Sequence, residues 1–348
     1  MGLLDTSADI MKTDLLGMTL PQLQQLASNE GFPRFAAKQM CDWLYKHRTD
    51  QIDRMTNLSL AQRQRLDEIA TIGRQTPVNC QVSKDGTKKY LFPIGDNSFV
   101  ETVYIPDDDR ATLCISCQVG CKMGCRFCVT GQQGFHGNLT AGQIVNQIFS
   151  IPEFDSLTNI VFMGMGEPMD NLDAILDVCA ILTQPWGLGW SPKRITVSTV
   201  GLIPQMKRYI DECQCHLAVS LHNAFDRERL DIMPVQKAYP IRSVLDTLRQ
   251  YDWSGQRRLS FEYTMFRGLN DDIAHAAQLA DALQGLDCRV NLIRFHTSPG
   301  SPYQTASPSS IEQFQRFLNN HGITCTLRAS RGQDIDAACG LLAGQNLR

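Results

Sequence analysis

The chain has 348 residues, room for one large domain and a small companion, and its 43% apolar and 20% charged residues are ordinary for a globular protein. No apolar run approaches the ~18 residues that a membrane helix needs, which excludes a helical membrane protein. The net charge of −3 excludes a strongly basic chain, although residues 31–90 hold eleven Lys/Arg against six Asp/Glu, either a solvated helical face or a patch for phosphates.

The first eighteen residues, MGLLDTSADIMKTDLLGM, contain three Asp and lack the basic start and apolar core of a secretory signal, so a cytoplasmic location is expected. Residues 1–75 read as helical. Leu20, Leu23 and Leu26 share one face, and Phe35, Met40, Trp43 and Leu44 are taken to share another. Residues 76–106 change character. VNCQVS and KKYLFPI alternate about Asp85-Gly86, a hairpin turn signal, and SFVETVYI supplies a third strand before PDDD (Pro106 to Asp109) ends the pattern.

From residue 107 to 348, short apolar strands alternate with amphipathic helices. The strands are TLCIS, NIVFM, RITVST, CHLAVSL, LSFEYTM and RVNLIRF, with TCTLRAS as a seventh near the end. Capping boxes are expected at Thr140/Gln143 and at Ser309/Glu312. This alternation predicts an α/β fold with a parallel sheet, and six such units close most of a barrel. The expected organisation is a helical accessory domain (1–75), a β-hairpin segment (76–106) and a barrel domain (107–348). In such barrels chemistry gathers at the C-terminal ends of the strands. In this chain those ends run into Gly164-Met165-Gly166-Glu167-Pro168, Ser198-Thr199, Ser220-Leu221-His222 and His296, which are expected on one rim.

Five of the thirteen cysteines fall between Cys114 and Cys128. A disulfide framework belongs to small secreted domains, so this cluster reads as metal binding or catalysis. Cys121-Lys-Met-Gly-Cys125-Arg-Phe-Cys128 follows a strand. Three thiolates so spaced can hold three irons of a 4Fe-4S cluster and leave the fourth open. Phe127 before the last Cys is typical of radical S-adenosylmethionine (SAM) enzymes, in which SAM chelates the open iron. The fold expected is therefore a partial (β/α)6-type radical SAM barrel. A zinc site is the competing reading. It needs a fourth ligand, and no matching C-x-x-C follows downstream. Cys117 has the wrong spacing for the triplet. Cys114 alone reads as a buried strand residue.

The stretch RATLCISCQVGCKMGCRFCVTGQQGF, followed in order by NIVFMGMGEPMDN, RITVSTVGLIP, HLAVSLH, IMPV, NLIRFH and RASRGQDIDAACG, resembles the RlmN/Cfr family of radical SAM RNA methyltransferases. GFPRFAAKQMCDWLY resembles the family's accessory domain. The resemblance implies two SAM molecules per turnover. One methylates Cys339; the other yields a radical that removes hydrogen from the S-methyl group, and the resulting methylene radical adds to adenine. Glu101 matches the acceptor of the ring proton. Cys114 matches the thiol that attacks the protein sulfur, frees the product and leaves a disulfide. The resemblance assigns SAM contacts to Gly166, Glu167, Ser198, Ser220, Leu221, His222 and His296, the last where many relatives have Asn. Cys117 stands where Ser is usual. The implied partners are 23S ribosomal RNA, transfer RNA and a reductase such as flavodoxin or ferredoxin, with no membrane; a monomer is expected.

Gln118-Val119-Gly120 and Gln132 to Phe135 resemble the RlmN branch, which methylates carbon 2 of adenine. NLIRF and Val129 to Gly131 lean towards the Cfr branch, which methylates carbon 8 and confers antibiotic resistance. A third reading, a non-enzymatic iron–sulfur RNA-binding module, predicts no SAM cleavage. Candidate phosphate contacts are Lys84, Lys88 and Lys89 on the hairpin and Arg34, Lys38, Lys46 and Arg48 on the helices.

Overall fold

A computed structural model of the chain describes residues 12–95, 97–297 and 300–344. Residues 1–11, most of the stretch read for a signal, lie outside the described residues. The helical unit is tied at both ends by two short parallel strands, β1 (Thr13–Asp14) and β2 (Ala70–Thr71). Between them run α1 (Leu20–Asn29), α2 (Ala36–Cys41) and α3 (Leu60–Ile69). Thr19 with Gln22 and Ser59 with Gln62 form reciprocal capping boxes at α1 and α3. Leu23, Ala27, Met40, Leu44 and Leu66 make the unit's core. Phe35 does not join it and is 61% exposed. It stands at the N-cap of α2, and a spacing of five from Met40 is off the helical face period.

The main sheet has ten strands. Three antiparallel ones come first: β3 (Asn79–Val82), β4 (Lys88–Gly95) and β5 (Ser98–Asp107). β5 turns tightly through residues 107–110 into β6 (Arg110–Cys114), so PDDD is a hairpin between two strands of one sheet. β7 (Gln118–Gly120) and β8 (Phe135–Asn138) form a separate antiparallel clip. The parallel series continues from β6 with β9 (Asn159–Phe162), β10 (Ile195–Thr199), β11 (His216–Ser220), β12 (Leu259–Met265), β13 (Arg289–Arg294) and β14 (Thr324–Arg328), in chain order across the sheet. All seven strands expected from the sequence are present, six in the barrel series and β14 extending it. Every residue of β12 is buried, as expected for a strand covered on both faces.

Helices cover the strands. α4 (Val129–Gln132) and α5 (Ala141–Phe149) precede β9, and α5 starts at the expected Thr140/Gln143 box. α6 (Leu172–Thr183), α7 (Ile203–Glu212), α8 (Asp226–Ile232), α9 (Ile241–Leu248), α10 (Ile273–Ala282) and α11 (Pro308–Asn320) follow. The box expected at Ser309/Glu312 is not formed. The cap is Ser307, which accepts from the Ser310 N–H, and Pro308 fills the first helical position, where its missing N–H costs nothing. The helical unit docks on α5, where Asn146 and the Gln75 backbone exchange two hydrogen bonds and Arg74 donates to the Phe149 carbonyl.

After β14 the chain returns across the open side of the sheet to the β3–β4 turn. Asp85 accepts from the Gly332 N–H (2.9 Å), and Asp334 accepts from the Ser83 hydroxyl (2.5 Å) and the Lys84 N–H (3.2 Å). The segment that carries Cys339 is thus hung between the two ends of the sheet.

Candidate active site

The cysteine loop leaves β6 and is pinned at its base by the β7–β8 clip. Gly120 has φ 72, and a Cβ there would sit 1.9 Å from the Gly134 carbonyl oxygen, so only glycine closes the clip. The Cys121 N–H donates to that same carbonyl (2.8 Å). Phe127 packs edge-on against His222 (4.9 Å between ring centroids) and against Phe266, which anchors the loop to the ends of β11 and β12.

Cys121, Cys125 and Cys128 line one cavity together with Gly166, Glu167, Ser198, Ser220, His222 and Cys339. Burial pushes the Cys121 thiol up to about 12, and Cys125 and Cys128 are raised for the same first reason. Thiols held protonated in this way become ligands only when a metal displaces their protons. Three such thiols from one loop line the cavity, and the other lining cysteine, Cys339, comes from the separate C-terminal segment, a set that fits a 4Fe-4S cluster with one open iron. Arg229 is fully buried behind them. It binds the carbonyls of Val200, Ser220 and Leu221, bolting the ends of β10 and β11 together, and its charge faces Cys125.

The loop after β9 makes the opposite wall. Gly166 has φ 101, and a Cβ there would lie 2.6 Å from Cβ of Gln118. Gln118 accepts from the Glu167 N–H and donates to Asn138 and Asp170, so the loop is tied to the base of the cysteine loop. The Glu167 carboxylate accepts from the N–H groups of Met169 (3.1 Å) and Val200 (3.0 Å), yet burial raises it to about 7. A cation brought against it, such as the ammonium of SAM, would pull that value down. His222 is in the left-handed region (φ 56), held there by Asn270, which donates to the carbonyls of His222 and Thr264. Its Nδ1 accepts from the Thr264 N–H and burial lowers the ring to about 3, so the imidazole is neutral with its proton on Nε2.

Not every expected residue reaches the cavity. Leu221 is buried, with its N–H given to the Glu262 carbonyl and its own carbonyl taken by Arg229. His296 lies beyond the end of β13 and pairs through Nε2 with the Ser330 hydroxyl (2.9 Å). It lines a second, smaller cavity on the other side of Cys339. Cys114 is buried at the end of β6, and burial, followed by the nearness of Cys339, pushes its thiol up to about 12. Cys117 is packed away under the Met165 carbonyl and does not line the cavity.

Glu101 is buried on β5. One carboxylate oxygen is 3.1 Å from Lys89 Nζ, and the other accepts from the N–H groups of Ala343 (2.6 Å) and Gly344 (3.2 Å). This corrects the expectation for Lys88 and Lys89, whereas Lys84 stands exposed on the same hairpin. Lys89 is buried against Glu101, and Lys88 is paired with Glu153 at 2.7 Å, so neither is free to meet phosphates. Lys46 and Arg48 are likewise paired, with Asp42 and Asp155, whereas Arg34 and Lys38 stand exposed beside the exposed Phe35.

A polar group beneath Cys339 was not anticipated from the sequence. The Arg328 guanidinium is partly buried and held charged by its neighbours, Cys339 first, then Glu262 and Cys114. Glu262 accepts from Asn291 through one oxygen (2.8 Å), while its second oxygen is buried without a hydrogen-bond partner. An orphaned carboxylate oxygen in a cavity invites a donor from a ligand. The available signal was a carboxylate in the middle of the apolar run LSFEYTM.

Two family profiles match the chain, "Radical SAM superfamily" over residues 115–280 and "Ribosomal RNA large subunit methyltransferase N-terminal domain" over residues 13–72. The chain is 57% identical to the probable dual-specificity RNA methyltransferase RlmN of Parabacteroides distasonis over 95% of this chain and 97% of that one. It is 43% identical to the dual-specificity RNA methyltransferase RlmN of Syntrophotalea carbinolica over 96% and 90%. The crystal structure of a radical SAM methyltransferase from Sphaerobacter thermophilus superposes with a TM-score of 0.89 at 40% identity, covering 96% of this chain and all of that one.

Proposed function

This chain belongs to the RlmN family of radical SAM RNA methyltransferases, and from that premise we propose that it methylates carbon 2 of an adenosine in 23S ribosomal RNA and of the adenosine next to the anticodon in some transfer RNAs, with Cys339 as the methyl carrier. The observation that carries this reading is the position of Cys339. It lines the same cavity as Cys121, Cys125, Cys128 and Glu167, and its other neighbours are Arg328 and the buried Cys114.

Cys121, Cys125 and Cys128 hold the 4Fe-4S cluster, and Gly166, Glu167, Ser198, Ser220 and His222 hold SAM. When bound, these groups supply a methyl group and a 5′-deoxyadenosyl radical. The chain supplies the rest. Arg328 places a positive charge beside Cys114 and Cys339, and that charge offsets part of the burial that raises the Cys114 thiol. Glu101 takes the ring proton. In the described conformation its carboxylate is capped by the N–H groups of Ala343 and Gly344, so it is freed as a base when the segment bearing Cys339 shifts. Electrons come from a flavodoxin- or ferredoxin-type reductase, and the chain works in the cytoplasm as a monomer.

Residues 107–348 form the catalytic domain in this reading, and residues 1–75 present the RNA. The adenine must leave its stack to reach the barrel rim, and cations must hold the flanking phosphates meanwhile. Arg34 and Lys38 are exposed cations there, with Phe35 as a surface on which a base can stack. Reversing both charges is expected to weaken RNA binding about tenfold at fixed salt, on the order of a half-decade per phosphate contact, and to leave uncoupled SAM cleavage intact. RNA affinity unchanged by the double reversal would rule this face out as an RNA contact. The functional assignment itself is tested by mass analysis of RNA from a strain lacking the gene. Loss of a methyl group from adenine carbon 2 is expected; loss from carbon 8 instead would place the chain with the Cfr branch.

A further inference from the structure

At the end of the barrel away from the active-site cavity, three cysteines from separate parts of the sequence meet. Cys179 is on α6, Cys213 caps the end of α7, and Cys215 immediately precedes β11. Their sulfurs all lie within 4.8 Å of one another, and all three residues are buried. β11 ends at Ser220, which lines the active-site cavity, so Cys215 lies about 16 Å away at the other end of the same strand. We propose that Cys179, Cys213 and Cys215 bind one soft closed-shell cation, Zn2+ or Cu+, at a structural site distinct from the iron–sulfur loop.

The geometry suits a single ion. With metal–sulfur bonds of about 2.3 Å, thiolates sharing one ion stand about 3.8 Å apart in a tetrahedral site and about 4 Å apart in a trigonal one. Sulfurs already within 4.8 Å reach those spacings with small movements. Cys121, Cys125 and Cys128 form no such tight group among the described residues, as expected of thiolates that each bind a different iron.

The ligand set also selects the ion. Only sulfur is offered, with no carboxylate or imidazole in the group, which favours Zn2+ and Cu+ over hard cations. Arg257 donates to the carbonyls of Cys213 (2.9 Å) and Ile210, which fixes the backbone beside the group. A cavity of about 520 Å3 is lined by His216, next to Cys215 in sequence, and by Trp253 and Arg257.

The test uses the holoenzyme reconstituted with iron and sulfide. It is offered one equivalent of Zn2+, or anaerobically of Cu+, then desalted against a chelator before its metals are counted. One zinc or one copper per chain is expected in addition to the iron, and the arm that survives the chelator identifies the ion. Cys213→Ser and Cys179→Ser should each lose that ion and keep their iron, while Cys80→Ser, an exposed cysteine elsewhere, should lose neither. If a triad variant fails to fold, the wild-type melting temperature decides, since a bound ion must raise it. Retention of neither ion by the wild type, or equal retention by both triad variants, would overturn the site and leave the methyltransferase assignment untouched.

Discussion

Cys114→Ala is expected to convert a turning-over enzyme into one that traps its RNA. In the proposed sequence the substrate carbon is joined through a methylene group to the sulfur of Cys339. Release requires a thiolate to attack that sulfur. A sulfur–sulfur bond forms, the carbon–sulfur bond breaks, and the carbon takes up a proton to become methyl. Cys114 is the buried thiol beside Cys339, and Arg328 stands against both, so the attacking group and the charge that favours its thiolate are built in. Alanine removes the nucleophile and leaves every earlier step in place. Protein and RNA should then co-migrate as a covalent adduct on a denaturing gel, with less than one free methylated RNA per chain. Cys339→Ala should give no adduct, and the double variant should behave like Cys339→Ala. Normal turnover by Cys114→Ala would mean that another thiol resolves the intermediate. Cys117 is the nearest alternative in sequence, yet it is packed under Met165 and turned out of the cavity.

The second large effect falls on the cysteine loop. Alanine at Cys121, Cys125 or Cys128 should abolish the cluster's absorbance and all formation of 5′-deoxyadenosine after anaerobic reconstitution. Two remaining thiolates leave the cluster without the third cysteine ligand that holds it in this loop. Cys117→Ser should keep both signals, because its backbone is what the structure uses. Its N–H donates to the Met165 carbonyl, and its carbonyl accepts from Leu139 and Asn171. Loss of the cluster in Cys117→Ser would show that the ligand triplet is drawn wrongly.

The parallel strands were legible because each is a short apolar run bounded by polar or glycine residues, and their chain order is also their order in the sheet. The cavity positions of Gly166, Glu167, Ser198, Ser220 and His222 followed from strand ends alone. What escaped the sequence depends on register and on distant contacts. Lys89 and Glu101 are diagonal neighbours on β4 and β5, since Lys89 lies opposite Val103 and Leu91 opposite Glu101. That pairing turns an expected RNA contact into an internal ion pair. Arg328 and Glu262 come from strands 66 positions apart in sequence and meet only in the folded barrel. The triad of Cys179, Cys213 and Cys215 was hidden for the same reason: a lone cysteine on one helix finds its partners after the next. His296 was placed on the rim by strand order. The chain has already left β13 at Arg294, and Ser330 satisfies the imidazole outside the cavity.

In the proposed mechanism the methyl group passes through Cys339 and loses a hydrogen on the way. Turnover with SAM carrying a trideuterated methyl group tests this directly. The expected product methyl carries two deuteriums and one hydrogen, with the third deuterium appearing in 5′-deoxyadenosine. A product that retains all three deuteriums would mean direct transfer from the sulfonium, and would contradict both Cys339 as methyl carrier and Cys114 as resolving thiol.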